Sequence, residues 1–246
     1  MDAKRRKVHS LKAAGGAKRV RAAKKAAASG PERMWIVILS VLIFAALIAL
    51  TFAYGYLYVH ATNPSDQANF LAYSSVAQSF IFPSLAFMYL LLRGRKLSWI
   101  IDNIKLSRKA FTRHNLLIGL VLFLAIVAME IGISLFSEVT GVQLPTNVGL
   151  VLGGLPIWFL VFSFLIDPIN EEILFRGFLV PRIGIVASAV IFAFLHLGYN
   201  SLSEVFAALV FGLLAGYVLK KTNSLYPSIL AHMLVNFLTI VALIYA

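Results

Sequence analysis

Apolar residues run along this chain in blocks separated by short polar stretches, and the blocks are long enough to cross a bilayer at roughly 20 residues each. The first block covers about Met34 to Val59, the second about Phe70 to Leu92, and the third about Leu116 to Phe136. A fourth begins near Val148 and continues past a charged cluster at 167–172. Shorter ones follow at about Ile183–Leu197, Val205–Leu219 and Leu225–Tyr245. None alternates apolar and polar residues as barrel strands do. Backbone groups left unpaired in hydrocarbon are costly, so each block is predicted to be helical. The pattern predicts an all-α fold: a polytopic transmembrane bundle of about seven spans. Between the second and third blocks, residues 97–114 are too polar to span. There Trp99, Ile100, Ile104 and Phe111 alternate with Lys105, Arg108 and Lys109, which predicts an interfacial helix.

Composition agrees: 60% of the residues are hydrophobic and 13% charged, against about 25% charged in an average soluble chain. The net charge of +12 is concentrated at one end. Residues 1–33 hold eleven Lys and Arg against Asp2 and Glu32, or +9, and the remainder carries +3. This divides the chain into a basic tail, 1–33, with too few large apolar residues to fold in water, and a membrane domain, 34–246. The tail is expected to be a solvated topogenic arm touching anionic lipid. Lys4-Arg5-Arg6-Lys7 also resembles a nuclear-localisation patch, but a nuclear address makes little sense on so hydrophobic a chain. The expected partner is the lipid bilayer, with no specific nucleic acid. The basic and apolar stretches are both too long for a signal peptide, and no Ala-x-Ala follows before Pro64, so the first block is expected to be a retained span.

Seven alternating spans put the tail, Arg93/Arg95/Lys96, Lys105–Arg113, Arg182 and Lys220/Lys221 on one side. The opposite loops contain Asp66, Glu138 and Glu204 but no Lys or Arg. By the positive-inside rule the N-terminus is cytoplasmic, in a plasma membrane or endoplasmic reticulum.

Ionisable residues within spans are expensive and mark function by default. The segment 167–182 (DPINEEILFRGFLVPR) holds the densest set. On a helix Glu171 and Glu172 point about 100° apart, and Arg176 lies one turn after Glu172, within ion-pairing reach. One carboxylate can then be neutralised while Glu171 faces another surface, which suits Glu171 as general base and Glu172 as anchor. Pro168 predicts a kink just before them. His196 follows Phe192 by one turn, and His232 and Asn236 are four apart on one face. Counted from Arg182 and Lys221 at about 1.5 Å per residue, Glu171, His196, His232 and Asn236 lie roughly 16, 21, 16 and 22 Å deep, within one slab. Glu130 is roughly 22 Å from the basic loop by the same rise but belongs to no motif, so it is left outside the site. Ala207, Ala208, Gly212, Ala215 and Gly216 predict close helix packing.

The chain has no cysteine, which excludes disulfides, thiolate nucleophiles and Cys-ligated zinc. A Glu, two His and an Asn at one depth point instead to activated water. A carboxylate takes a proton, the water attacks a carbonyl, and N–H groups steady the oxyanion. Two His and one Glu (Glu171, His196, His232) are also a zinc set, although no histidine has HExxH spacing.

Glu171-Glu172-x-x-x-Arg176, Phe192-x-x-x-His196 and His232-x-x-x-Asn236 together resemble the three motifs of the CPBP family, which comprises the CAAX prenyl endopeptidases and the bacteriocin-processing or self-immunity proteins once called Abi. The resemblance covers about 150–240. It implies a glutamate-dependent intramembrane endopeptidase acting on a peptide or prenylated protein, and favours a metal-free site. In such an enzyme Glu171 and His196 would activate water, His232 and Asn236 would steady the oxyanion, and Glu172 with Arg176 would hold the site together. A non-catalytic scaffold or immunity protein of the same fold and a zinc-dependent variant are the alternatives. A transporter should repeat its broken helices in a second half, and no second EExxxR is present.

Overall fold

A computed structural model of the chain describes residues 30–93, 96–142, 153–199 and 201–245. Most of the expected basic tail, residues 1–29, lies outside that range. Among the described residues every regular element is helical. Helix α1 (Gly30–His60) pairs along its length with α2 (Pro64–Leu92). Their connection is short because Asn63 caps α2, accepting from the Ser65 N–H at 2.9 Å, with Pro64 at the first helical position.

The polar segment that follows is only partly the predicted interfacial helix. Helix α3 (Leu97–Asn103) ends where Lys105 takes a left-handed φ of 65°, and the chain continues as a turn through Arg108–Ala110. Two apolar residues of this segment face inward, whereas Phe111 is exposed. Ile100 and Ile104 are buried in a cluster with Leu90, Ile173, Leu225 and Ile229. The Leu225 N–H donates to the Lys105 carbonyl at 3.0 Å, and the Tyr226 hydroxyl donates to the Leu106 carbonyl at 3.2 Å. The segment therefore packs against the basic end of the bundle.

Helix α4 (Arg113–Thr140) starts at a Thr112 cap and packs against the last helix. The fourth block is a broken helix: α5 (Ile157–Leu165), a break at Ile166, α6 (Asp167–Glu172), a wide π-type stretch over Ile173–Leu179, and α7 (Val180–Ile183). Two prolines flank the irregular stretch. Pro168 gives the kink predicted before the glutamates, and Pro181 has no N–H to return to the Gly177 carbonyl. Gly184, at φ 88°, turns the chain into α8 (Ile185–Leu195), which tightens into a 3₁₀ turn over His196–Tyr199. Helices α9 (Leu202–Thr222) and α10 (Tyr226–Tyr245) complete the bundle.

The predicted small-residue packing is present. A Cβ on Gly212 would lie 2.8 Å from the Ala189 Cβ, so α8 and α9 touch almost backbone to backbone there. Among the described residues five helices, in α1, α2, α4, α9 and α10, are long and apolar enough to cross a membrane. The broken helix at 157–183 and the short α8 fall where two further passes are expected but are not of that length, so five long spans, rather than about seven, are present among the described residues. Large apolar side chains such as Leu117, Val121, Val186 and Phe194 are exposed on the outer faces. A surface of that kind suits lipid rather than water, and the protein is an integral membrane protein.

Candidate active site

The site begins in α6, a six-residue segment with an irregular joint at each end. Glu172 is fully buried, and its Oε1 lies 3.0 Å from Arg176 Nη1 one turn later. The guanidinium is 1% exposed, with its carbon 4.2 Å from the centre of the Phe192 ring and 4.9 Å from that of Phe211. Aromatic faces thus supply part of the stabilisation that water would otherwise provide. The pair also meets α10: His232 Nδ1 is 3.2 Å from the same Glu172 Oε1, and Nδ1 is the donor because a carboxylate accepts. The other ring nitrogen, Nε2, is 3.6 Å from Glu171 Oε2, a charge contact longer than a hydrogen bond. His232 therefore stands between the two glutamates. Glu171 faces open space beside this group.

That open space is a cavity of about 200 Å³ lined by Glu171, His196, His232 and Asn236, together with Asp167, Glu130 and Phe192. His196 Nδ1 is 3.0 Å from the Phe192 carbonyl one turn before it. A carbonyl only accepts, so Nδ1 carries the proton and Nε2 presents its lone pair when the ring is neutral. Asn236 is tied across the bundle, its Nδ2 donating to the Ser163 carbonyl on α5 at 2.9 Å, and it still lines the cavity. The residues singled out in the sequence are thus gathered in two degrees. Glu171, Glu172, Arg176 and His232 are in direct contact, whereas His196 and Asn236 meet them across the cavity.

Four further residues belong to the site. The Ser79 hydroxyl, on α2, donates to Asp167 Oδ1 and accepts from Asn170 Nδ2 at 2.9 Å. Asp167 lies one turn before Glu171 and lines the cavity beside it. The short α6 segment is thus held from outside by a helix some 90 residues earlier in the chain. Glu130, left outside the site on sequence grounds, also lines the cavity.

A hydrolytic metal would need Glu171, His196 and His232 gathered round one ion. Both histidines use Nδ1 for contacts away from the cavity. Among the described residues no three His, Asp or Glu side chains are grouped closely enough to hold an ion. The donor set does not fit a metal in this arrangement.

Comparison with known proteins gives one result. Residues 153–238 match the family model described as "Type II CAAX prenyl endopeptidase Rce1-like". No curated protein and no solved structure matches the chain. The matched stretch is about a third of the sequence, runs from just before α5 into α10, and contains all three motifs. The part of the chain that bears the site, residues 153–238, is therefore Rce1-like, consistent with an intramembrane protease of the CPBP family.

Proposed function

We propose that the protein is an intramembrane endopeptidase in which Glu171 activates water within the cavity. The observation that carries this reading is the unequal pairing of the two glutamates. Glu172 lies within ion-pairing distance of Arg176 and His232, while among the described residues Glu171 meets no arginine at that distance and lines the cavity. Glu171 removes a proton from water, His196 orients the water, and the oxygen attacks the peptide carbonyl. Asn236 has a second amide hydrogen beyond the one given to Ser163, and it steadies the oxyanion together with His232. Donation from His232 Nε2 while Nδ1 bonds Glu172 requires protons on both nitrogens. The proton taken from water then passes to the departing amine, which balances the hydrolysis. In this scheme the reaction needs no metal, and the substrate is a peptide or the C-terminal segment of a prenylated protein. The N-terminus faces the cytoplasm, since the basic loops share one side.

The test is incubation of the purified protein with a peptide ending in a CAAX sequence, prenylated and unprenylated, with and without a chelator. The reading expects cleavage that the chelator leaves unchanged. Cleavage of the prenylated peptide alone would assign the lipid a part in recognition. Loss of cleavage on chelation, with recovery on adding zinc, would replace the water-activation scheme with a zinc-dependent one.

A further inference from the structure

Cleaving a peptide bond takes two proton transfers: a base must take one from water, and an acid must give one to the nitrogen that departs. Asp167 is placed for the second task. It lies one helical turn before Glu171, so the two side chains share a face of α6, and both line the cavity. On α2, the Ser79 hydroxyl accepts from Asn170 Nδ2 at 2.9 Å and donates to Asp167 Oδ1. The other oxygen, Oδ2, has no hydrogen-bond partner among the described residues, and no Lys, Arg or His there lies within ion-pairing distance of Asp167. Glu171, by contrast, stands 3.6 Å from the His232 imidazole. Two carboxylates one turn apart and away from bulk water hold one proton between them at less cost than two charges. The charge belongs beside the imidazole, on Glu171, which leaves the proton on Asp167 Oδ2. Asp167 is part of none of the three motifs, and Ser79 lies outside the stretch that matches the family model.

We infer that Asp167 is the general acid of the reaction, giving its proton to the departing amine. The inference rests on the peptidase reading and completes its proton path. Glu171 takes a proton from water, and the hydroxide oxygen bonds to the carbonyl carbon. As the tetrahedral intermediate collapses, the C–N bond breaks and the nitrogen takes the proton from Asp167 Oδ2. Glu171 then passes the proton it took from water to Asp167, and the pair returns to its starting state. One water is consumed, and a carboxylic acid and an amine are released. Ser79 is a positioning residue in this scheme. Its hydroxyl occupies Oδ1, so that the proton sits on the oxygen left for the substrate.

The leaving group tests this assignment, because an amine needs a proton to depart whereas a thiolate leaves without one. The full-length protein is first given the prenylated CAAX peptide, the cleaved bond is located by mass spectrometry, and that amide is then replaced by a thioester. Asp167→Asn is nearly isosteric and keeps an acceptor for Ser79. It is expected to cleave the amide at least about 10²-fold more slowly through kcat, with KM unchanged, and to cleave the thioester within threefold of the unmodified protein. Glu171→Gln should lose both substrates, since water must still be activated. Asp167→Ala takes the place of Asp167→Asn if the latter does not fold, and should show the same split, whereas Asp167→Glu keeps the acid and should cleave both. Equal loss on the amide and the thioester would reduce Asp167 to a structural part and overturn the inference. Undiminished amide cleavage by Asp167→Asn would overturn it too, while leaving the peptidase reading in place. An unmodified protein that cleaves neither substrate would bring down that reading, and the general acid with it.

Discussion

At the residue scale, the site turns on one imidazole held between two unlike carboxylates. Glu172 is committed to Arg176 and to His232 Nδ1, so its charge is spent inside the protein, whereas Glu171 meets His232 only at 3.6 Å and keeps a face to the cavity. Removing one member of a buried ion pair strands the other, at a cost of about 3–5 kcal/mol. Arg176→Gln is therefore expected to lower the melting temperature in detergent sharply and to reduce yield. A melting curve like that of the unmodified protein would show that the aromatic rings, not the charge, hold this position. Ser79 gives a milder case. Ser79→Ala removes the group that bridges Asp167 and Asn170, and buried groups left unsatisfied cost about 1–3 kcal/mol each. Stability should fall by an amount of that order, and Ser79→Thr, which keeps the hydroxyl, should restore most of it.

These residues were unequally legible in the sequence. Glu171, Glu172, Arg176, His232 and Asn236 declare themselves through spacings of one helical turn and through the rarity of such groups in apolar runs. Ser79 does not. A serine in an apolar helix commonly bonds the carbonyl one turn back, as Ser75 and Ser84 do here with Leu71 and Phe80. Nothing in the local pattern distinguishes the serine that reaches across to Asp167.

At the scale of elements, the six residues of α6 carry the chemistry because the helix is irregular on both sides of them. A continuous helix would fix the direction of Glu171 through its own hydrogen bonds. Here the break at Ile166 and the π-type stretch after Glu172 leave that direction to be set by contacts with α2 and α10. The prolines made the kink predictable, whereas the wide turn depends on how Phe175, Arg176 and Gly177 fit against neighbouring helices and could not be read locally. The same limit applies to residues 97–114. Their alternation of apolar and basic residues suits a membrane surface and an inward-packed segment equally, and only the partner at Leu225 decides between them. The contact of α8 with α9 was readable because small residues permit few alternatives. Gly212→Val would force side-chain atoms into Ala189, where a Cβ alone already comes within 2.8 Å. Overpacking of this kind costs about 1–3 kcal/mol, and thermal melting should register it. An unchanged melting temperature would mean that α8 and α9 can separate without loss.

At the scale of the whole molecule, an inside-out surface surrounds the cavity. The division of the chain into a tail and a membrane domain is open to direct trial. Removal of residues 1–29 should leave melting and cleavage unchanged, because every residue assigned to the site lies beyond α2 or within it. A loss of cleavage would give the tail a part in binding substrate. The central claim concerns the reaction itself, and the most direct measurement is the peptide-cleavage rate of Glu171→Gln, compared with the unmodified protein at matched melting temperature. The substitution is nearly isosteric and removes only the proton acceptor, so a fall of at least about 10²-fold is expected from the loss of a positioned base. A rate within threefold of the original, in a protein equally well folded, would contradict the account.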